Sequence, residues 1–340
     1  MKTIIQKLYK KKNLQISEMY KIISYIGKKK ISNIEISSII TAIKIKGLTK
    51  EEILGTIKAC LKMINKFHVL KKELYADIVG TGGDYNQGIN ISTSSALVAS
   101  LLGFKIIKHC NESVTSISGS SNILEMFNIN SKMSKKLSQK ILEKFNICFL
   151  HAQKYNPVYK NVKKVRSQLK TRTFFNLTGP LLNPSQPKLS VIGVYSKKKM
   201  ILLSNTIRSL NYKNVLVINS DHTDEATLHD ITYVTQIRKK KAQSYILTPE
   251  DFGIKWKKKN ILKKQSLNKN FLTLKKIFKG KGTTEQNEII AINTALLLFI
   301  FGKKNLKKNT QNSLDIIKSG KIYKLIKKIS KIGSLCKKQS

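Results

Sequence analysis

Several short segments of the chain carry residue types and spacings suited to phosphate, carboxylate and divalent-cation chemistry. Val79-Gly80-Thr81-Gly82-Gly83-Asp84 puts three glycines into four positions. Glycine accepts positive φ and close backbone approach, and consecutive N–H groups in such a turn form a nest for an anion, typically a phosphate. A plain tight turn between a strand and a helix is the other reading. The segment is not a GxGxxG fingerprint, and no Gly-Lys-Ser/Thr follows to make a Walker A loop. Asn90-Ile91-Ser92-Thr93-Ser94-Ser95 opens the next helical pattern. Hydroxyls and free N–H groups at a helix start favour a phosphate, although Ser and Thr also serve there as ordinary caps. Lys108-His109-Cys110-Asn111 closes the following strand pattern. It leads into a serine-rich loop, with Ser113, Thr115, Ser116, Ser118, Ser120 and Ser121 around Gly119. The lysine offers a point charge to a phosphate and the hydroxyls offer directional hydrogen bonds.

Arg166 and Arg172 lie six apart in a chain with only two other arginines, Arg208 and Arg238. Where lysine does the rest of the cationic work, a retained arginine suggests a need for its planar fork, and a carboxylate-bearing substrate is a natural partner. A structural salt bridge is the alternative. Asp224-Glu225 follows a strand pattern and the turn Ser220-Asp221-His222-Thr223. Adjacent carboxylates in a loop suit Mg²⁺, which takes oxygen ligands and keeps waters and substrate phosphates; a solvated acidic turn is the bland reading. The five histidines show no HxxxH or HExxH spacing, so no zinc site is expected, and no partner base can be assigned to Cys110.

The elements that must position these residues follow from periodicity. Residues 1–70 read as short helices, with apolar residues at three- and four-residue spacing over Ser17–Ile26 and Ile34–Ile45. Gly47 reads as a helix-ending glycine and Thr49 as an N-cap. With Glu52 three positions on, Thr49 forms a capping box at the start of a helix running from Glu51 to about Phe67. From Tyr75 the pattern changes to strand (75–79), glycine turn, helix (92–102) and strand (104–108), which is βαβ spacing and argues for an α/β domain. Further strands are expected at 147–151, 189–195 and 215–219, and a hairpin over 235–247. Segment 160–185 reads as helical and then irregular, with Gly179-Pro180 and Asn183-Pro184 as breakers. A helix is expected over 284–301. The 303–338 stretch has helical spacing with a lysine-rich outer face.

The chain has 340 residues and a formal net charge of +45, a length that suits two domains or one large one. The 41% hydrophobic content is enough for a core. No apolar run approaches the ~20 residues of a spanning helix, so no membrane association is expected. The N-terminus lacks an apolar signal core. Four cysteines without CxxC spacing point to a reducing cytoplasm. The charge invites a nucleic-acid reading, but only four of the 64 basic residues are arginine, the side chain suited to bidentate phosphate and base contacts. Abundant Ile, Asn and Lys have A/T-rich codons, so base composition is a sufficient cause. Segment 76–128 escapes the excess: Lys105 and Lys108 face Asp77, Asp84, Glu112 and Glu125, for a charge of −2. Nucleic acid is therefore not the expected partner.

In this order and spacing, Gly80-Thr81-Gly82-Gly83-Asp84, Asn90-Ile91-Ser92-Thr93, Lys108-His109-x-Asn111, Arg172-Thr173-x-Phe175-Asn176-x-x-Gly179-Pro180-Leu181-x-Asn183-Pro184 and Asp224-Glu225 resemble the anthranilate phosphoribosyltransferase family. The resemblance extends over nearly the whole chain. It takes in Lys46-Gly47-x-Thr49-x-Glu51-Glu52, Ile192-Gly193-Val194-Tyr195 and Leu247-Thr248-Pro249-Glu250-Asp251-Phe252-Gly253. It implies an α/β fold with a small N-terminal helical domain and a larger α/β domain with a central mixed sheet, like that of the nucleoside phosphorylases. The helical domain would be 1–70, joined by about 160–185, and the donor-binding α/β domain 75–159 with 186–340. The implied reaction is attack of anthranilate on 5-phosphoribosyl 1-diphosphate in tryptophan biosynthesis, in a homodimer. By the same resemblance Gly80, Gly83, Asp84, Asn90, Ile91, Ser92, Thr93, Lys108, Asn111, Ser113, Ser116 and Ser120 hold the donor. Gly80, Asn111 and Arg166 hold anthranilate, with Arg166 facing its carboxylate. Ser92 and Glu225 hold one Mg²⁺, and Asp224 with Glu225 a second.

The chain departs from the family pattern at Cys110, Glu112, Ile117 and Asn122, where the resemblance leads one to expect Gly, Arg, Lys and Asp. The changes at Glu112 and Ile117 alter the loop by −3 in charge, which implies weaker attraction for a polyanionic donor unless the surrounding lysine field compensates. A same-fold paralogue that binds nucleic acid, and a pyrimidine-nucleoside-phosphorylase-like enzyme, are the alternative readings.

Overall fold

The computed structural model describes residues 1–69, 73–82, 88–111, 119–259 and 265–335. Four helices open the chain: α1 (Lys2–Tyr9), α2 (Ile16–Gly27), α3 (Asn33–Lys46) and α4 (Lys50–Met63). Ser32 and Thr49 cap α3 and α4. Each accepts the backbone N–H three residues on, while Glu35 and Glu52 reach back to the cap N–H, which satisfies two otherwise orphaned donors at each helix start. Glu52 is fully buried and also binds Lys46 and the N–H of Leu14, so one carboxylate ties α4 to α3 and to the segment leading into α2. The helix expected to reach Phe67 stops at Met63. Ile64 turns extended, and the N–H groups of Asn65 and Phe67 go instead to the carbonyls of Tyr155 and Pro184. Tertiary hydrogen bonds there replace helical ones.

The chain then runs through β1 (Tyr75–Gly80), α5 (Ile91–Leu101), β2 (Lys105–Cys110), α6 (Ser120–Met126), α7 (Lys135–Phe145) and β3 (Ile147–His151). Four short helices follow: α8 (Ala152–Tyr155), α9 (Pro157–Asn161), α10 (Lys163–Leu169) and α11 (Phe174–Thr178). They bring the chain back to the N-terminal bundle. Val158, Tyr159, Val162 and Phe175 share a core with Met19, Ile22, Ile39 and Ile57, and Asn161 Nδ2 donates to the last carbonyls of α2. After them come β4 (Leu189–Gly193), α12 (Lys197–Ile207), β5 (Asn214–Asn219) and the hairpin β6 (Thr232–Arg238) and β7 (Lys241–Leu247). The chain ends in α13 (Leu267–Phe278), α14 (Thr284–Ile300), α15 (Leu306–Lys318) and α16 (Lys321–Leu335).

The seven strands form one mixed sheet in the order β3-β2-β1-β4-β5-β6-β7. The first five are parallel and the hairpin is antiparallel. Side chains alternate between two cores, as the period of two requires. Ile78, Val191, Leu216 and Ile218 face α5, α7 and α13–α16, whereas Ile192, Val215 and Val217 face α12 and the N-terminal bundle. Burial on both faces explains why these strands read as continuous apolar runs. The chain moves outward from β1 to β3 on one side, then returns through the helical segment to β4 on the other side of β1. The order therefore reverses between β1 and β4, and ligands of open α/β sheets bind beyond the carboxyl ends of the strands at such a reversal. No helix among the described residues is long and apolar enough to cross a membrane.

Candidate functional site

At the reversal, β1 ends at Gly80 and β4 at Gly193, paired in register. The acid loop lies directly across both. A Cβ on Gly80 would stand 2.6 Å from Asp224 Cγ, and one on Gly193 would overlap the Asp224 carbonyl and lie 2.9 Å from its Cβ. Only glycine permits that approach. The Gly82 N–H donates to Asp224 Oδ2 at 2.6 Å, and Gly82 has a φ of 65°. The glycine turn thus docks the acid loop, a role that neither sequence reading of the turn included. Gly83 and Asp84 lie outside the described residues.

The acid loop is held from several sides. Asn219 Nδ2 donates to the carbonyls of Val194 and Thr223. Asn293 on α14 both accepts from the N–H and donates to the carbonyl of Ala226, next to Glu225. Asp221 receives Lys259 at 2.8 Å and His229 at 2.9 Å. Asp221 and His222 have φ values of 43° and 58°, a left-handed pair without glycine. Burial pushes the Asp224 carboxyl above its ordinary range, while the Gly82 N–H and the charges of Arg172 and Lys108 pull it down.

Lys108 enters the site from β2. It is 1% exposed, and its Nζ donates to the Ile78 carbonyl at 2.7 Å and to Ser92 Oγ at 3.2 Å. Burial lowers its affinity for a proton; Asp77, Glu225 and Asp224 act the other way. Asp77 is itself buried. Its carboxyl is raised to about 6 by desolvation, against the stabilising pull of Lys108, Asn183 and the His109 N–H. Asn183 donates to Asp77 at 2.8 Å and to the Ile107 carbonyl, so the Gly-Pro-Leu-x-Asn-Pro segment is tied to β1 and β2, and Asp77 acts on Lys108 through its charge. Ser92 and Thr93 lie in the first turn of α5. Asn90 occupies the cap position but makes no side-chain cap; its Oδ1 accepts from Asn270 instead, and its carbonyl accepts the Ser94 hydroxyl. Ile91 packs into the core. The buried hydroxyls of Thr81 and Thr93 have no partner among the described residues. Such orphaned groups beside an uncapped helix start are what a bound anion would satisfy.

Arg166 projects from α10 and is 6% exposed. Its Nη2 donates to Asn176 Oδ1 at 3.3 Å, and its guanidinium lies 5.9 and 5.8 Å from the rings of Tyr159 and Phe175. Among the described residues no carboxylate pairs with it, and its buried Nε has no partner. Desolvation lowers its proton affinity. The salt-bridge alternative is therefore absent for Arg166 among those residues, and a buried guanidinium without a counter-ion is costly unless an anion arrives. A line of contacts joins it to the end of β2. His109 interacts with the Gly179 carbonyl, a Cβ on Gly179 would lie 3.5 Å from the Tyr159 hydroxyl, and Tyr159 faces Arg166. Arg172 stacks on Tyr195 at 3.9 Å and its charge acts on Asp224.

Asn111 follows β2, and its carbonyl accepts the Ser121 N–H. Ser120 is the first residue of α6, whose start is closed by the Gly119 N–H donating to Asn122 Oδ1 at 3.1 Å. Asn122, where the family pattern has Asp, can therefore serve the backbone without a charge. Cys110 is buried, and desolvation raises its thiol to about 11, which leaves it a packing residue. Glu112, Ser113, Ser116 and Ile117 lie outside the described residues.

Asp224, Glu225 and Ser92 supply hard oxygen donors of the kind Mg²⁺ takes, and a buried carboxyl pushed up by desolvation gains from a nearby cation. The described residues contain no group of three or more His, Cys, Asp and Glu side chains that would cage a metal. An ion here would complete its shell with hydroxyl, water and ligand oxygens, the usual habit of Mg²⁺.

The profile described as "Glycosyl transferase family, helical bundle domain" matches residues 2–63, and "Glycosyl transferase family, a/b domain" matches 72–323. The chain is 47% identical to the anthranilate phosphoribosyltransferase of Buchnera aphidicola subsp. Schlechtendalia chinensis, covering 97% of this chain and 100% of that protein. It is 48% identical to the one from the Acyrthosiphon pisum subspecies (strain Tuc7), over 97% and 96% of the two chains. Among solved structures, the anthranilate phosphoribosyltransferase of Thermus thermophilus superposes with a TM-score of 0.86 at 26% identity, over 97% of this chain and 99% of that one. The Saccharomyces cerevisiae enzyme in complex with PRPP and Mg superposes with a TM-score of 0.85 at 25% identity, over 98% and 97%. A glycosyltransferase α/β domain with its helical bundle, and relatives matched end to end at nearly half identity, lead to one conclusion: the chain belongs to the anthranilate phosphoribosyltransferase family.

Proposed function

We propose that this chain transfers the 5-phosphoribosyl group of 5-phosphoribosyl 1-diphosphate to the amine of anthranilate, giving N-(5-phosphoribosyl)anthranilate and diphosphate, in tryptophan biosynthesis. The observation that carries the reading is the meeting of the glycine turn, Lys108, Ser92 and Asp224 at the β1/β4 reversal. The names of the curated relatives and the PRPP and Mg of the yeast complex support it.

In this reading Gly80, Gly83, Asp84, Asn90, Ile91, Ser92, Thr93, Lys108, Asn111, Ser113, Ser116 and Ser120 bind the donor. Gly80, Asn111 and Arg166 bind anthranilate. Ser92, Asp224 and Glu225 hold Mg²⁺, two ions per subunit. When bound, Mg²⁺ neutralises charge developing on the departing diphosphate. Lys108 adds a fixed positive charge in a site shielded from water, where such charges act strongly. The bond from C1 to the diphosphate oxygen breaks, the bond from C1 to the amine nitrogen forms, and the amine then gives up a proton. An arylamine is neutral at pH 7, so no strong general base is required and positioning carries much of the rate. Arg166 aligns the acid by its carboxylate. The enzyme works as a cytoplasmic homodimer, with the 1–70 helices and about 160–185 as its helical domain and without nucleic-acid or membrane partners.

The test is loss of anthranilate fluorescence with purified protein. Consumption is expected only with both donor and Mg²⁺. Arg166→Ala is expected to raise the anthranilate KM by about 10- to 100-fold, the worth of a charge-assisted hydrogen bond, with the donor KM unchanged. No consumption, or a change confined to the donor KM, contradicts the proposal. A gel shift at physiological salt addresses nucleic acid, since nonspecific binding fades steeply with salt.

A further inference from the structure

β2 and β3 run parallel with Cys110 in register with His151, so the residues after each strand emerge side by side beyond the carboxyl edge of the sheet. Asn111 follows β2 directly, and Gln153 stands two positions past the end of β3, in α8. Gln153 Nε2 donates to Asn111 Oδ1 across 3.2 Å, and both side chains are half-buried. The Asn111 backbone is fixed as well, its carbonyl accepting the Ser121 N–H at 3.3 Å. A carboxamide has a carbonyl edge that accepts and an amide edge that donates, and its partners decide which way it is turned.

We propose that Gln153 is a positioning residue for the aromatic acid substrate: by engaging Asn111 Oδ1, it turns the N–H donors of Asn111 towards the bound acid. The inference rests on the proposed function, which assigns Asn111 to anthranilate. An anionic aromatic acid is bound by donors, and Arg166 supplies one set. Turned the other way, Asn111 would present a carbonyl oxygen to an anion and repel it. Asn111 sits beside the Lys108–His109 end of β2, from which contacts run through Gly179 and Tyr159 to Arg166. The proposed function assigns Asn111 and Arg166 to the same acid, so the orientation that Gln153 imposes bears on that ligand. Nothing in the spacing of the sequence marks Gln153 for this role; the strand register does.

The experiment is a double-mutant cycle on the full-length enzyme with Gln153→Met, Asn111→Ala and the combination. Donor and anthranilate are varied separately and melting temperatures are recorded. Gln153→Met is expected to raise the anthranilate KM by about three- to tenfold, the range of one hydrogen bond, with kcat and the donor KM within about twofold. In the Asn111→Ala background the same change is expected to do nothing further to the anthranilate KM, because a residue acting through Asn111 has nothing left to orient. Should Gln153→Met fail to fold, Gln153→Glu keeps the shape and accepts only. It is expected to raise KM more in the presence of Asn111 than in its absence. An unchanged KM, or an equal factor in both backgrounds, overturns the proposal. If the wild type consumes no anthranilate, or Asn111→Ala leaves the anthranilate KM unchanged, the underlying assignment fails first and this one with it.

Discussion

Gly193 offers the sharpest perturbation of the site, because its effect is steric and its target is a single loop. In Gly193→Ala the new methyl would overlap the Asp224 carbonyl and lie 2.9 Å from the Asp224 Cβ. Ordinary contact begins near 3.4 Å, so the acid loop must retreat by well over ~1 Å. That retreat breaks the 2.6 Å hydrogen bond from the Gly82 N–H to Asp224 and moves both carboxylates away from Lys108 and Ser92. A misplacement of about 1 Å costs on the order of 100-fold in rate. The clash is with backbone, so the stability cost is at or above the about 1–3 kcal/mol usual for overpacking. The variant is expected to melt lower and, where it is folded, to lose at least about 100-fold in kcat/KM for the donor, with a higher Mg²⁺ requirement. Steady-state fluorescence assays across donor and Mg²⁺ concentrations measure both. Gly103→Ala is the control. Gly103 has a φ of 87° with nothing within 4 Å of the added Cβ, so this change brings backbone strain of about 1–2 kcal/mol and no kinetic effect. A Gly193→Ala enzyme with wild-type donor and Mg²⁺ kinetics would refute the claim that close approach of the acid loop to β4 builds the site.

Three further outcomes follow from local features. His222→Gly relieves a left-handed φ of 58° and is expected to stabilise the protein by about 1 kcal/mol in denaturant melts. Burial, aided by the charges of Lys108 and His151, depresses the His109 imidazole to about 3. The unfolded chain then binds a proton near pH 6.5 that the folded chain refuses. The stability this group contributes is present above pH 6.5 and lost as pH falls towards 3, by at most about 5 kcal/mol; His109→Gln should flatten that part of the stability profile. Restoring the family charges with Glu112→Arg and Ile117→Lys together is expected to lower the donor KM several-fold, in a manner that weakens with salt, and an unchanged donor KM would show that these substitutions are compensated elsewhere.

Much of the β1–α5–β2 unit is legible in the sequence, because its signals are local. The strand is stopped by glycines, hydroxyls open the helix, and Gly103 ends it before the next apolar run. The capping box at Thr49 is legible for the same reason. The reversal of strand order between β1 and β4 is not, since it depends on which strands pair across more than a hundred residues. Hence Gly193 carries no visible reason to be glycine until Asp224 is seen lying on it. Asp77 and Asn183 likewise become partners only after the fold brings them together. Helices α6, α7, α8, α12 and α13 have no counterpart among the elements read from the sequence. In α7 and α12 the first turn is filled with lysines instead of acids, so the usual charge cue at a helix start is missing. The strand expected over 189–195 stops pairing at Gly193, where the chain turns beneath the acid loop.

The most direct measurement is a crystal structure grown with diphosphate, anthranilate and Mn²⁺, a divalent ion with an anomalous signal. The account predicts Mn²⁺ peaks beside Ser92, Asp224 and Glu225, diphosphate against the Gly80 turn, and the anthranilate carboxylate on Arg166. Metal bound away from the acid loop, or the aromatic acid seated with Arg166 still unpaired, would contradict it.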